Sequence, residues 1–143
     1  MIKGVYLNEM IDDCSEPIRI QKEVFGKEYK EEVPGNNAQM PVMYILLYGE
    51  KMTPVGSVGM TFGLDGTVLF SQLAVLPEER CQGYGDFIMH MIFDKCQMGN
   101  VSTLKSFDVI HCPEYFNKYG FEVNNQYMTL DIPHYYATHQ CKH

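Results

Sequence analysis

The chain has 143 residues, 45% of them hydrophobic and 20% charged, with ten Met, ten Tyr and no Trp, the size and make-up of one compact domain that buries a core without staples. A net charge of −7 with only eleven Lys plus Arg excludes a generic nucleic-acid binder, which rests on clustered cations. No long apolar run and no leader pattern indicates a membrane or export, and five widely spaced cysteines (Cys14, Cys81, Cys96, Cys112, Cys141) without a CxxC pair fit reduced thiols in a cytoplasm and no metal site.

Residues 1–143 read as a single domain without repeat or linker. Residues 4–8 form a first strand, and Asp12, Asp13 and Ser15 offer N-caps for a helix through Ile18, Ile20, Val24 and Phe25 that Gly26 ends. The polar stretch 27–39, with Pro34-Gly35-Asn36-Asn37, is a loop with room for a short helix. Apolar runs at 43–48 and 55–62, separated by residues 49–54, suit an antiparallel hairpin. Asp65-Gly66 supplies the positive φ of a tight turn into a strand over 67–76.

From 83 to 98 the period changes: Phe87, Ile88, Met91 and Ile92 fall on one helical face, Met89, Met91 and Met98 read as core filling, and Gly99-Asn100 is a stop. A strand over 103–110, a short helix opened by Pro113 over 113–119, and two closing strands over 121–130 around Asn124-Asn125 complete an α+β chain. The tail 134–143 has no clear period and is assigned no structure.

The segment Leu73-Ala74-Val75-Leu76-Pro77-Glu78-Glu79-Arg80-Cys81-Gln82-Gly83-Tyr84-Gly85 is a strand that stops at proline and reopens as a helix at its glycines. A helix start carries unpaired N–H groups and partial positive charge, so it suits an anion such as a pyrophosphate. Gly83 and Gly85 bring no Cβ into that approach, and Arg80 adds a fixed cation.

Together with Tyr115-Phe116-Asn117-Lys118-Tyr119-Gly120-Phe121, this segment resembles the GCN5-related N-acetyltransferases (GNAT). Leu73, Val75, Pro77, Arg80, Gly83 and Gly85 fall on that family's LxVxPxxRGxGIG pattern, and Tyr115, Lys118, Gly120 and Phe121 on its Phe-Tyr-x-Lys-x-Gly-Phe. The resemblance implies a mixed, largely antiparallel sheet flanked by helices, its central parallel strands splayed into a V. It implies acetyl-CoA as co-substrate, with pantetheine paired along Leu73, Ala74 and Val75 and pyrophosphate held at Arg80, Cys81, Gln82, Gly83, Tyr84, Gly85 and Asp86, and no metal. An amine acceptor would attack the thioester directly, with the Val75 backbone N–H as oxyanion donor.

Phe116 stands where the family's general-acid tyrosine falls, which leaves Tyr115 as the candidate acid and Tyr119 as a second phenol. Val109 and Cys112 depart from the Asn and Ala that often precede that motif. Glu78, Glu79, Asp108, Glu114 or water would take the amine's proton. Cys81 and Cys112 are not read as nucleophiles, because His111 and Cys112, adjacent on a strand, point to opposite faces. The acceptor would meet the loop 27–39, the turn 49–54 and the last strands, where Tyr29, Tyr44, Tyr127, Glu31 and Glu32 suit a cationic amine. The alternative is a non-catalytic acyl-CoA sensor, and an exposed edge strand leaves room for a homodimer.

Overall fold

The computed structural model describes residues 1–108 and 113–139. The strands are β1 (Lys3–Asn8), β2 (Met43–Tyr48), β3 (Pro54–Phe62), β4 (Thr67–Val75), β5 (Thr103–Ser106), β6 (Glu122–Val123) and β7 (Met128–Asp131). The helices are α1 (Ser15–Phe25), α2 (Tyr84–Met98), α3 (Pro113–Asn117) and α4 (Ile132–His139), with single 3-10 turns at Gly26–Glu28 and Pro77–Glu79. One sheet runs in the order β1-β2-β3-β4-β5-β7-β6, antiparallel throughout except where β4 meets β5.

Alternation along the strands sends side chains to two helical layers. Ile45, Leu47, Val58, Met60, Val68 and Phe70 face α2, whose Ile88, Met89, Ile92, Phe93 and Cys96 are fully buried with them. On the other face, Leu46 and Ala74 pack with Ile20 of α1, and the Ser57 hydroxyl donates to the Pro17 carbonyl at 2.9 Å. The buried stripe of α2 lies further round than its periodicity suggests: Phe87 is 38% exposed and Met98 77% exposed, while Met91 lies over Gly4. The sheet, which presents Gly56 opposite Ile88, fixes the inward face.

The open feature of the sheet is the β4/β5 seam. Parallel pairing covers Thr67–Leu69 against Thr103–Lys105 and then stops, while β4 continues to Val75. In the same stretch β4 bulges: Ser57 faces Ala74 and Gly59 faces Ser71, so Gln72 and Leu73 together stand opposite Val58. Gln72 takes a left-handed φ of 57° there, a conformation that costs a side-chain residue about 1 kcal/mol. Beyond Leu69, β4 and β5 are no longer paired among the described residues, which leaves the β4/β5 gap.

Three expectations are corrected. The tail forms a helix, α4, because the Asp131 carboxylate caps it by accepting the His134 N–H at 2.9 Å, Pro133 occupies its first turn, and Tyr135 buries its ring 4.5 Å from that of Phe93. The strand predicted to reach residue 76 ends at Val75, where Pro77 starts a 3-10 turn. The strand predicted over 103–110 is seen as Thr103–Ser106, and positions 109 and 110, Val109 among them, lie with His111, Cys112 and Cys141 outside the described residues.

Candidate functional site

A cavity of about 600 Å³ opens at the β4/β5 gap. Of the ten residues predicted to hold a coenzyme, Leu73, Val75, Arg80, Cys81, Gly83, Tyr84, Gly85 and Asp86 line it. Gln82 is exposed outside the lining, and Ala74 is fully buried against α1, so it offers only backbone. The Tyr84 ring is also buried, and its hydroxyl accepts the Glu50 N–H at 3.3 Å, which ties the start of α2 to the turn after β2.

The start of α2 is shaped for an anion. Gly83 is the N-cap with φ 81°, no side chain caps this end, and the Phe87 N–H is the one that returns to the Gly83 carbonyl. The N–H groups of Tyr84, Gly85 and Asp86 therefore precede any intrahelical acceptor and face outward along the dipole's positive end. A Cβ on Gly83 would meet nothing within 4 Å, and one on Gly85 would stand 3.1 Å from the Tyr115 hydroxyl. Cys81 takes φ 65°, and the Arg80 Nε donates to the Val75 carbonyl at 3.1 Å, folding the loop back onto the end of β4.

Leu76 donates its N–H to Val55 on β3. Because N–H directions alternate along a strand, the Val75 N–H points the other way, into the gap. Phe70, Leu73, Val75 and Phe116 give that part of the cavity an apolar wall. The residues fit an extended thiol-ended chain along β4 with a diphosphate at α2.

Asp86 is more than an N–H donor. Its Oδ1 accepts hydrogen bonds from Tyr115 at 2.8 Å and from Tyr119, and pairs with Lys118 Nζ at 2.7 Å; the two phenols lie 3.1 Å apart. Burial alone would raise the Asp86 pKa, but the bonds from Lys118, Tyr119 and Tyr115 hold it below the usual carboxylate range. Burial first, and then Asp86, push the Tyr115 and Tyr119 phenols above the ordinary tyrosine value; for Tyr115, the bond with Tyr119 acts in the opposite direction. Phe116 is buried, its ring 6.0 Å from that of Phe70.

The opposite wall comes from Val24, Phe25 and Glu28, at and after the end of α1, and from Asp108. Asp108 accepts the Gln72 N–H at 2.6 Å across the mouth of the gap. The Gln72 amide in turn grips the backbone of Lys30, accepting its N–H at 2.8 Å and donating to its carbonyl at 2.9 Å. Of the acids considered for proton removal, Glu79 and Asp108 line the cavity, and Glu78 and Glu114 do not.

The tyrosines and acids expected around an acceptor do not gather there. Tyr44 is a core residue beside Cys14, Val33 and Val42, Tyr127 lies under the Lys105 ammonium at 4.0 Å, and Glu31 and Glu32 line a separate hollow. Sequence reasoning missed Val24, Phe25, Phe70 and Gln72, and had Glu28 only as part of the loop 27–39. The first two were seen only as the end of a helix, and nothing local marks Gln72 as a bulge.

No protein-family profile matches the chain, and no curated protein matches it. Solved structures do share its fold. An acetyltransferase of the GNAT family from Staphylococcus aureus Mu50 matches with TM-score 0.68 at 13% identity, over 92% of this chain and 99% of that one. The ribosomal-protein-S18-alanine N-acetyltransferase of Escherichia coli matches with TM-score 0.69 at 15% identity, over 92% and 94%. The catalytic domain of Tetrahymena GCN5 histone acetyltransferase in complex with coenzyme A matches with TM-score 0.65 at 16% identity, over 92% and 93%. The fold of this chain is the GNAT acyl-CoA N-acyltransferase fold.

Proposed function

We propose that this chain, having the fold of GNAT acetyltransferases, is a single-unit N-acetyltransferase over residues 1–143 that takes acetyl-CoA into the β4/β5 gap and passes its acetyl group to a primary amine. The observation that carries the reading is the coincidence, in one cavity, of the uncapped start of α2, the edge of β4 that has no strand partner among the described residues, and the apolar wall between them. Bound acetyl-CoA supplies an acyl group activated as a thioester, with a thiolate as its leaving group.

The protein's own groups do the rest. The N–H groups of residues 81–86 and Arg80 hold the diphosphate, and Leu73, Phe70 and Phe116 exclude water from the chain leading to sulfur. The Val75 N–H meets negative charge as it develops on the carbonyl oxygen. The neutral amine forms the C–N bond while the C–S bond breaks; of the acids that line the cavity, Glu79 or Asp108 takes the amine's proton, directly or through water, and sulfur regains one proton. Tyr115 serves there as a hydrogen-bond donor. Tyr115→Phe is expected to lower kcat roughly 10- to 100-fold, as for loss of one bond to a charged atom, with the Kd for coenzyme A little changed; an unaltered kcat removes Tyr115 from the reaction.

Cys81 offers a second check. It is exposed and lines the cavity, whereas Cys14 and Cys96 are buried, and burial pushes the Cys96 thiol up to about 12. Saturating coenzyme A is expected to slow alkylation of Cys81 at least about tenfold, read by peptide mapping. Equal labelling with and without it would place the ligand elsewhere.

The test of the whole reading is free-thiol release from acetyl-CoA across polyamines, amino acids, aminoglycosides, arylamines and peptide N-termini. Turnover on one class establishes the enzyme and names its acceptor. One observation favours a second reading, a non-catalytic acyl-CoA sensor: Phe116 carries no proton and the Tyr115 proton is directed at Asp86. Tight coenzyme A binding with no thiol release on any acceptor selects it.

A further inference from the structure

A carboxylate stands inside the cradle of the proposed ligand. Among the described residues, Arg80 is the cation in the cavity's lining. Arg80 is engaged with the Val75 carbonyl. Asp86 sits in the first turn of α2, within the cradle itself. A doubly charged diphosphate entering there meets a fixed like charge within a few ångströms, and one arginine does not offset it.

The missing cation stands one contact away. Lys118, just beyond α3, places its Nζ 2.7 Å from Asp86 Oδ1. The same oxygen also accepts the Tyr115 and Tyr119 hydroxyls, so Asp86 stays anchored if the ammonium leaves it. The Lys118 head lies 4.5 Å from the centre of the Tyr115 ring and 5.2 Å from that of Tyr119, and its side chain is 47% exposed, so it can turn without disturbing buried packing.

We propose that Lys118 is a diphosphate ligand held in reserve on Asp86: its ammonium pairs with the carboxylate in the free protein and with the pyrophosphate when coenzyme A is bound. The inference rests on the coenzyme reading above and adds to it a named cation and a named opposing charge. Asp86 sets the affinity against which Lys118 works, which lets product leave a cradle that would otherwise hold it tightly. The two residues therefore act on affinity with opposite signs. A network serving only to dock α3 against α2 would lose affinity whichever member was changed.

The experiment is calorimetric titration of the whole chain with coenzyme A and, separately, with dephospho-coenzyme A, at about 0.02 M and about 1 M salt. Lys118→Met keeps the apolar stem and is expected to weaken both ligands about tenfold at low salt, with the deficit shrinking at high salt and restored by Lys118→Arg. Asp86→Asn keeps an oxygen for both tyrosines and is expected to tighten both ligands several-fold. An unchanged Lys118→Met affinity, or a loss in Asp86→Asn equal to that in Lys118→Met, overturns the inference while leaving the coenzyme reading intact. A deficit seen with coenzyme A and absent with dephospho-coenzyme A moves Lys118 to the 3′-phosphate and also overturns it. A wild-type protein that binds neither ligand brings down the coenzyme reading and this inference with it.

Discussion

Gly83→Glu is expected to raise the Kd for coenzyme A at least about 100-fold while the protein stays folded. Gly83 sits at the N-cap of α2 with φ 81°, and a Cβ there meets nothing within 4 Å, so glutamate fits sterically. Its cost to the fold is the left-handed backbone, about 1 kcal/mol, or a fall in Tm of a few degrees. Its carboxylate, by contrast, stands in the cradle where the diphosphate would lie. One glutamate charge facing the diphosphate's two charges at about 5 Å, with an effective dielectric of about 40, costs about 3 kcal/mol, which is the expected loss in affinity. Titration calorimetry beside a melting curve separates the two effects. Retained affinity in a folded Gly83→Glu protein would remove the start of α2 from ligand binding.

Phe93→Ala is expected to be the most damaging single change to the fold. Phe93 is fully buried on α2, its ring centre 4.5 Å from that of Tyr135, 5.2 Å from that of Tyr119 and 5.7 Å from that of His90. It joins three pieces: α2, the tyrosine that reaches Asp86, and the closing helix α4. Truncating a buried phenylalanine costs about 3–5 kcal/mol through lost transfer energy and the cavity left behind, a large share of the roughly 5–15 kcal/mol that holds a domain together. Tm is expected to fall by about 10 °C or more, and urea unfolding is expected to shift its midpoint with little change in slope. A shift equivalent to less than about 1 kcal/mol would mean that the three elements do not depend on one another through this ring.

The strand and helix order was readable because its signals are local. Asp65-Gly66 supplies the positive φ at Gly66, Gly26 ends α1, and the glycines around Tyr84 open α2. The loop-to-helix geometry at the start of α2 was readable for the same reason: its parts lie within a few residues of one another. What escaped depends on partners distant in the chain. The buried face of α2 is chosen by the sheet, which turns Phe87 outward and Phe93 inward. Helix α4 had a local cap in Asp131 and Pro133, but its stability comes from Tyr135 meeting Phe93. Gln72 carries no turn signature, and only the fold brings Lys30 to its side chain and Asp108 to its backbone. Asp86 was counted for its N–H group; the convergence of Tyr115, Lys118 and Tyr119 on its carboxylate exists only once α3 is docked.

Titration of the unmodified protein with acetyl-CoA decides whether the β4/β5 gap with the start of α2 is a coenzyme A site. One saturable site per chain, with a micromolar-range Kd and displacement by free coenzyme A, is the predicted result. No detectable heat with ligand present at about 1 mM, the weak end of specific recognition, would contradict it.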